Sequence, residues 1–276
     1  MIVVRDCEGF EELEACVQLQ IETWGVDPSD ITPRKTFLLA QKIGGQVMGA
    51  FDTGQADDSP GRMADSLVGF AFSLPGIKES ASGPVAYLHS HMLAVKLEFR
   101  NRGIGTLLKL EQRRDALARG IRRMEWTFDP LEIKNAFLNI HKLGAVVWAY
   151  RENFYGVSSS RLQGGLPTDR LLAEWHLDSP RVQAVLEGRP TALELGEAVL
   201  DRIVVPASIY EWKATEAGRE RALAVQLENR RKFQKAFSQG LAVLGFVRDA
   251  EGNGVFELGL HSQAEQASSP KERDSL

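Results

Sequence analysis

Residues Leu93-Ala94-Val95-Lys96-Leu97-Glu98-Phe99-Arg100-Asn101-Arg102-Gly103-Ile104-Gly105-Thr106 decide how the chain is read. The stretch starts apolar, passes through a cationic elbow and ends in two glycines. Leu107, Leu110, Arg114 and Leu117 follow at helical spacing, and Gly120 stands where a helix C-cap would stand. This order predicts a strand that turns into a helix. The first turn of a helix offers N–H groups without intrahelical partners and a partial positive charge, which suits phosphate oxygens. Gly103 and Gly105 let the backbone approach such an anion, and Arg100 and Arg102 add charge.

Two common phosphate-binding patterns are excluded. A dinucleotide fingerprint needs a third glycine at 108, where Leu108 stands, and a P-loop needs Gly-Lys-Ser/Thr at the helix start. The stretch resembles the acyl-CoA loop of the GNAT superfamily of N-acetyltransferases, whose fourth strand typically reads Leu-x-Val-x-Pro-x-x-Arg/Gln-x-x-Gly-x-Gly/Ala. Leu93, Val95, Arg100, Gly103 and Gly105 fall on that pattern, and Leu97 replaces the proline. The resemblance implies an α/β (α+β) mixed sheet of the GNAT-like acyl-CoA N-acyltransferase kind. It implies acetyl-CoA or another acyl-CoA as co-substrate and no metal. By position, the backbone of Leu93, Ala94 and Val95 would pair with the pantetheine arm. Arg100, Asn101, Arg102, Gly103, Ile104, Gly105 and Thr106 would hold the pyrophosphate.

At 276 residues the chain suits one large domain or two small ones, at ~100–200 residues per domain. A hydrophobic fraction of 43% supplies a core. The net charge of −4 argues against nucleic acid as main partner, so any polyanion site must be local, and the elbow is the obvious patch. Cys7 and Cys16 are the only cysteines, which is no disulfide framework and favours a reducing cytoplasm. Arg5, Asp6, Glu8, Glu11 and Glu12 interrupt any signal-peptide core, and no run approaches the ~20 apolar residues of a membrane helix. A soluble cytoplasmic protein without membrane partners is expected.

Periodicity and turn signals predict a strand at 1–4, a helix over 9–24 (Phe10, Leu13, Val17, Ile21, Trp24), a second helix from Thr32-Pro33 to Gln41, and a strand over 46–51. A polar loop, 52–65, is expected to be mobile. A strand over 67–74 ends at Pro75-Gly76, and a second loop reaches Pro84. The central strand 86–97, the helix 103–119 and a strand over 121–128 follow. Next come a short helix ending at Gly144 and a strand over 146–150. This order matches the GNAT order over about residues 1–155. Beyond it, 171–177 reads as a strand and 179–200 as a linker. Then 203–206 is extended, 214–238 is one long helix, and 241–248 and 255–260 are strands. The domain reading is a GNAT-like core over 1–178, a strand-helix-strand-strand extension over 179–261 that completes the sheet or forms a small lobe, and a disordered tail over 262–276.

Acyl transfer to an amine requires an ammonium of pKa ~10 to lose its proton near neutral pH, and a donor for the developing oxyanion. A backbone N–H on the central strand can be that donor. His89 and His91, two apart on one strand, are expected to share a face with Leu93 and Val95. His91 is a candidate base, with Glu125 and Asp129 as carboxylate alternatives. The plainer readings are a structural histidine pair and, for Asp129, a helix cap. The two histidines lack a third ligand for a metal. Asn135 to Ala145 resembles the second GNAT motif, commonly Leu-Tyr-x-Lys-x-Gly-Phe. Lys142 and Gly144 match it, whereas Ile140 takes the place of the tyrosine acid and Ala145 that of the phenylalanine. Tyr150, Tyr155 or water would then serve as acid, and Asn135 and Lys142 would hold CoA. His89, Trp126 and Arg230 are the candidate acceptor residues. Arg230 projects from an apolar stripe (Leu223, Leu227, Phe233, Phe237), either paired with an acid or anchoring a carboxylate. Three functions fit: transfer of a short acyl group to a small-molecule amine, succinyl-CoA-dependent acylation of an amino acid, and a non-catalytic CoA-binding module. A homodimer is open on each.

Overall fold

The computed structural model describes residues 1–25, 27–54, 64, 66–80, 83–156, 158, 160–191, 193 and 199–260. Most of the expected loop 52–65 and the whole tail from 262 lie outside the described residues. By compactness the chain divides into two units rather than at residue 178. One is Met1–Pro75, Leu88–Arg122 and Ser158–Gly165; the other is Gly76–Tyr87, Arg123–Val157 and Leu166–Leu276.

The first unit contains β1 (Ile2–Asp6), α1 (Gly9–Trp24), α2 (Arg34–Lys42), β2 (Gln46–Asp52) and α3 (Ile104–Ala118), with the start of β3 (Leu67–Ser80) and the end of β4 (Gly83–Val95). β1 pairs with β2 and β2 with β3, both antiparallel, and β4 follows β3 in the sheet. Residues 46–51 and 67–73 are buried throughout, as strands covered on both faces must be. One face packs Val47, Phe51 and Phe72 against Leu13, Cys16 and Phe37 of α1 and α2. The other packs Met48, Ala50, Val68 and Ala71 against Ile104 and Leu108 of α3. Gly69 permits that second layer, because a Cβ there would lie 3.0 Å from Ala94 O and 3.3 Å from Ile104 and Leu108 side chains. The start of α3 is thereby pressed down on β3 and β4.

Both helices depart in part from the expected face, although Leu13 and Val17 of α1 are buried as expected. In α1, Phe10 is 56% exposed and Ile21 is exposed, whereas Cys16, Leu19 and Gln20 are buried. Gln20 explains part of this rotation: its amide binds Thr32 O and Thr32 N at 3.1 and 2.8 Å and ties down the following loop. In α3 the inward residues are Ile104, Leu108, Lys109, Gln112 and Ala116, and Leu107 is exposed. Two polar residues, Lys109 and Gln112, occupy core positions there because both bond to Ser90 of the sheet.

The second unit contains β5 (Arg123–Phe128), α4 (Ile133–Ala136) running into a π-helical turn (Phe137–Lys142), β6 (Val146–Arg151), β7 (Arg170–His176), α5 (Pro180–Leu186), β8 (Asp201–Val205), α6 (Ile209–Ala214), α7 (Glu216–Ser238), β9 (Leu241–Arg248) and β10 (Gly254–Leu260). The strand order is β5-β7-β6-β9-β10-β8, and every described pairing is antiparallel. The C-terminal strands therefore continue the sheet of this unit.

The expectations are refined at three places in this half of the chain. The segment expected as a linker holds α5. Ser179 accepts the Val182 N–H, Pro180 opens the helix and Gly188 follows it at φ +67°. The long helix expected over 214–238 stands as α7, but the short helix α6 precedes it, and between them Thr215 leaves helical geometry and caps Gly218 N–H at 3.1 Å. β3 and β4 run on past Pro75-Gly76 and back from Gly83. β2 pairs only as far as Ser73, so the missing N–H of Pro75 breaks no β2 bond. The Tyr87 ring covers Gly76, where a Cβ would lie 2.4 Å from it.

Candidate active site

The elbow is built by backbone conformation before any side chain contributes. Lys96 N–H donates to Val68 O at 2.8 Å and holds the end of β4 in place. A 3₁₀ turn over Leu97–Phe99 follows, and Arg100 Nε folds back onto Val95 O at 3.0 Å. Asn101 takes φ +62°, which asparagine tolerates, and Gly103 takes φ +79°. Gly103 is the N-cap of α3 and carries no cap side chain. The first helical bond runs from Leu107 N to Gly103 O at 3.1 Å, so the N–H groups of Ile104, Gly105 and Thr106 precede it. Arg102 lies over the Phe99 ring at 5.1 Å. Among the described residues neither Arg100 nor Arg102 sits in an ion pair. Lys96, Phe99 and Arg102, with Asp52 and Ser66, line an adjoining cavity of about 360 Å³. A larger groove of about 540 Å³ runs along α1 past Phe10, Glu14, Gln18 and Glu22.

β4 does not alternate as expected. Ser90 bonds to Lys109 of α3 at 2.7 Å, and Leu93 and Val95 pack into the α3 cluster. His91 instead meets Phe72 edge-on at 6.0 Å, and Met92 and Ala94 join the α1/α2 cluster. The side-chain pattern slips by one residue between Ser90 and Leu93, as at a β-bulge. His89 and His91 thus share a face, with ring centroids 6.2 Å apart, but not the face of Leu93 and Val95. His91 is exposed, yet the protein packed beside it partly desolvates the ring and lowers its pKa from the ordinary value.

In the second unit the carboxylate candidates are already engaged. Both Glu125 oxygens accept from Lys78 Nζ, at 2.8 and 2.6 Å, and Oε1 also accepts from Arg123 Nε at 2.6 Å. Asp129 Oδ1 accepts from Leu131 N–H at 2.8 Å within the turn before α4, whose N-cap is Glu132, and its Oδ2 accepts from Lys213 at 2.9 Å. Burial opposes the Lys213 charge, but Asp129 and Glu132 outweigh it and raise its pKa. Trp126 is a core residue packed edge-to-face on Trp175 at 5.9 Å. Arg230 grips buried Asp169 with two bonds of 2.9 Å and reaches Glu152 at 2.6 Å, so its fork is spent on structure. Tyr150 donates to the same Asp169 at 2.6 Å, and burial with that carboxylate pushes its hydroxyl pKa up. Tyr155 shares a 2.9 Å hydrogen bond with Thr127. Asn135 and Lys142 are exposed, and Ile140 is buried. Among the described residues no three His, Cys, Asp or Glu side chains gather for a metal, and no helix is long and apolar enough to cross a membrane.

Residues that composition and spacing missed are Ser90, Lys109, Gln112 and Gln46. The signal was present as two polar residues at 109 and 112, on the helical face of Ile104, Leu108 and Ala116.

No family model matches this chain, and no curated protein does. Solved structures resemble it. Arabidopsis thaliana NAA60 in complex with acetyl-CoA aligns with a TM-score of 0.50 and 16% identity, over 64% of this chain and 99% of that one. The ribosomal-protein-S18-alanine N-acetyltransferase from Escherichia coli aligns at 0.47 and 14%, over 65% and 96%. An aminoglycoside 6'-acetyltransferase type Ii aligns at 0.46 and 16%, over 64% and 98%. The first likeness shows the fold, which is the mixed α/β GNAT-like one that the elbow implies.

Proposed function

We propose that the chain is an acyl-CoA-dependent N-acyltransferase that moves an acetyl or other short acyl group to a primary amine by direct attack in a ternary complex. One observation carries the reading: an uncapped helix start behind a left-handed Gly103, with Arg100 and Arg102 beside it. These features fit a pyrophosphate, whose oxygens would meet the N–H groups of 104–106 while the arginines offset its charge. CoA, when bound, supplies the thioester and the thiolate leaving group. The change in side-chain facing between Ser90 and Leu93 suits a β4 backbone N–H as donor to the developing oxyanion.

His91 takes the role of base in this proposal. Its lowered pKa leaves the ring neutral at pH 7 and able to accept the ammonium proton, directly or through water. Glu125 and Asp129 are less suited, being held by two cations and by Lys213. The acceptor is proposed to be a small-molecule amine. The resembling structures include enzymes named for a protein substrate and for an aminoglycoside, so both classes belong in the test.

CoA-thiol release should be measured with acetyl- and succinyl-CoA against amino acids, polyamines, aminoglycosides and peptides with free N-termini. Amine-dependent release that vanishes in an Arg102→Glu, Gly103→Asp double variant is the expected result. Acyl-CoA binding without release would favour the non-catalytic module, a reading that the buried Ile140 in the tyrosine position supports. No binding would overturn the reading of the elbow.

A further inference from the structure

The chain has two cysteines in 276 residues, and the first unit brings them together. Cys7 follows β1 and Cys16 lies in α1, nine residues on, with the sulfurs 3.7 Å apart. Both are free thiols, 3% and 0% exposed. Buried cysteines commonly act as small apolar groups. These two instead share a sulfur–sulfur hydrogen bond.

Three neighbours hold the pair in register. Cys7 N–H donates to Val47 O at 2.8 Å and Cys7 O accepts from Gln41 Nε2 at 2.9 Å, so its backbone is tied to β2 and α2. Glu12 accepts from Glu8 N–H at 2.7 Å and from Arg5 at 2.7 and 2.8 Å, which fixes the first turn of α1 against the end of β1. Gly49 of β2 leaves room for the sulfur, because a Cβ there would lie 2.9 Å from Cys7 Sγ. The backbone on both sides is therefore set, and a bond between the sulfurs asks for an approach of about 1.6 Å.

While the pair is closed it reacts slowly. The hydrogen bond with Cys16 and burial raise the Cys7 pKa, with Glu12 adding to them and Arg5 opposing, so little thiolate forms. Exchange with solvent then passes through local opening of the Cys7–Glu8 link, next to a five-residue strand that ends the sheet order beside β2.

We infer that Cys7 and Cys16 are a reversible disulfide site that cross-links the end of β1 to α1. The oxidant is a low-molecular-weight disulfide, glutathione disulfide. The Cys7 thiolate attacks one of its sulfurs and releases one glutathione. Cys16, having given up its proton, attacks Cys7 Sγ, forms the internal bond and expels the second glutathione. Two protein thiols are oxidised, one glutathione disulfide is reduced to two thiols, and the two protons end on the glutathione sulfurs. The bond restrains the helix that walls the larger groove through Phe10, Glu14, Gln18 and Glu22.

The test is a redox titration of the full chain in glutathione buffers, both folded and in urea. It starts from reduced protein and from protein cross-linked while unfolded, and runs until the two directions agree. Closure should lower the mass by about 2 Da, two hydrogens. Cleavage after Glu8, Glu11, Glu12 or Glu14 should leave the Cys7 and Cys16 peptides joined. The folded chain is expected to close at a ratio of glutathione disulfide to squared glutathione about tenfold lower than the unfolded chain, or less, because the fold supplies the proximity. Cys7→Ser and Cys16→Ala should each take up one glutathione at most and form no internal bond. Should either variant not fold, the wild-type titration still decides. An equal or higher ratio for the folded chain overturns the proposal, as do mixed disulfides or dimers in place of the internal bond.

Discussion

Two cation-rich places in this protein solve opposite problems. On β5 and β7, Glu125 stands directly opposite Glu174, and Arg123 opposite His176. Two facing carboxylates, 2% and 1% exposed, would repel at close range with no water to screen them. Arg123 bridges both, Lys78 holds the outer one, and His176 lies 3.3 Å from Glu174. Burial pushes the Glu174 pKa up, but His176 and Arg123 outweigh it and keep it below the usual range. At the elbow the arginines are surface groups beside helix N–H donors, and a ligand can use them. Buried charge must be closed by the chain itself, while exposed charge stays available to bind.

The sharpest break of this contrast is the double change Gly103→Asp, Arg102→Glu, which sets negative charge where an anion should sit. CoA affinity should fall beyond measurement, more than about 10³-fold by calorimetry. The fold should persist, since a Cβ at 103 meets nothing within 4 Å and the φ costs only about 1–2 kcal/mol. Retained binding would place CoA elsewhere. Arg123→Met tests the closed ladder: losing the shared cation should cost about 3–5 kcal/mol in urea unfolding. A cost under about 1 kcal/mol would mean that the ladder is not closed as described.

His91→Gln should lower kcat by about 10²-fold at pH 7.5. The wild-type rate should fall as pH drops through the His91 pKa, below 6.5, because the protonated ring cannot accept a proton. That acid limb should be missing from the variant, and its persistence would move the base elsewhere. The smallest effect is expected for Arg100→Ala, about two- to fivefold in CoA Kd and weaker at high salt. An effect above 30-fold would give Arg100 a directed bond rather than a share in the field.

The elbow was legible because its causes are local. A glycine at a left-handed position, a short turn and a helix start all lie within about a dozen residues, and no distant partner is needed to form them. Helix faces were less legible. Spacing put Phe10 and Ile21 inside α1 and Leu107 inside α3, whereas Gln20 and Gln112 went inward because each finds partners on other elements. Arg230 is the extreme case. Its sequence context left open a paired acid or a carboxylate anchor, and the partners proved to be Asp169, 61 residues away, and Glu152.

The sequence by itself determined the order of most elements, the acyl-CoA-like turn and the glycine that makes it possible, since these depend on backbone conformation and short-range pattern. Only the tertiary structure decided the slip that parts His91 from Leu93, the closure of Glu125 and Asp129 by Lys78, Arg123 and Lys213, and the burial of Lys109. Those outcomes depend on which polar groups meet across distant elements. Once water is excluded, that pairing outweighs what any residue does alone.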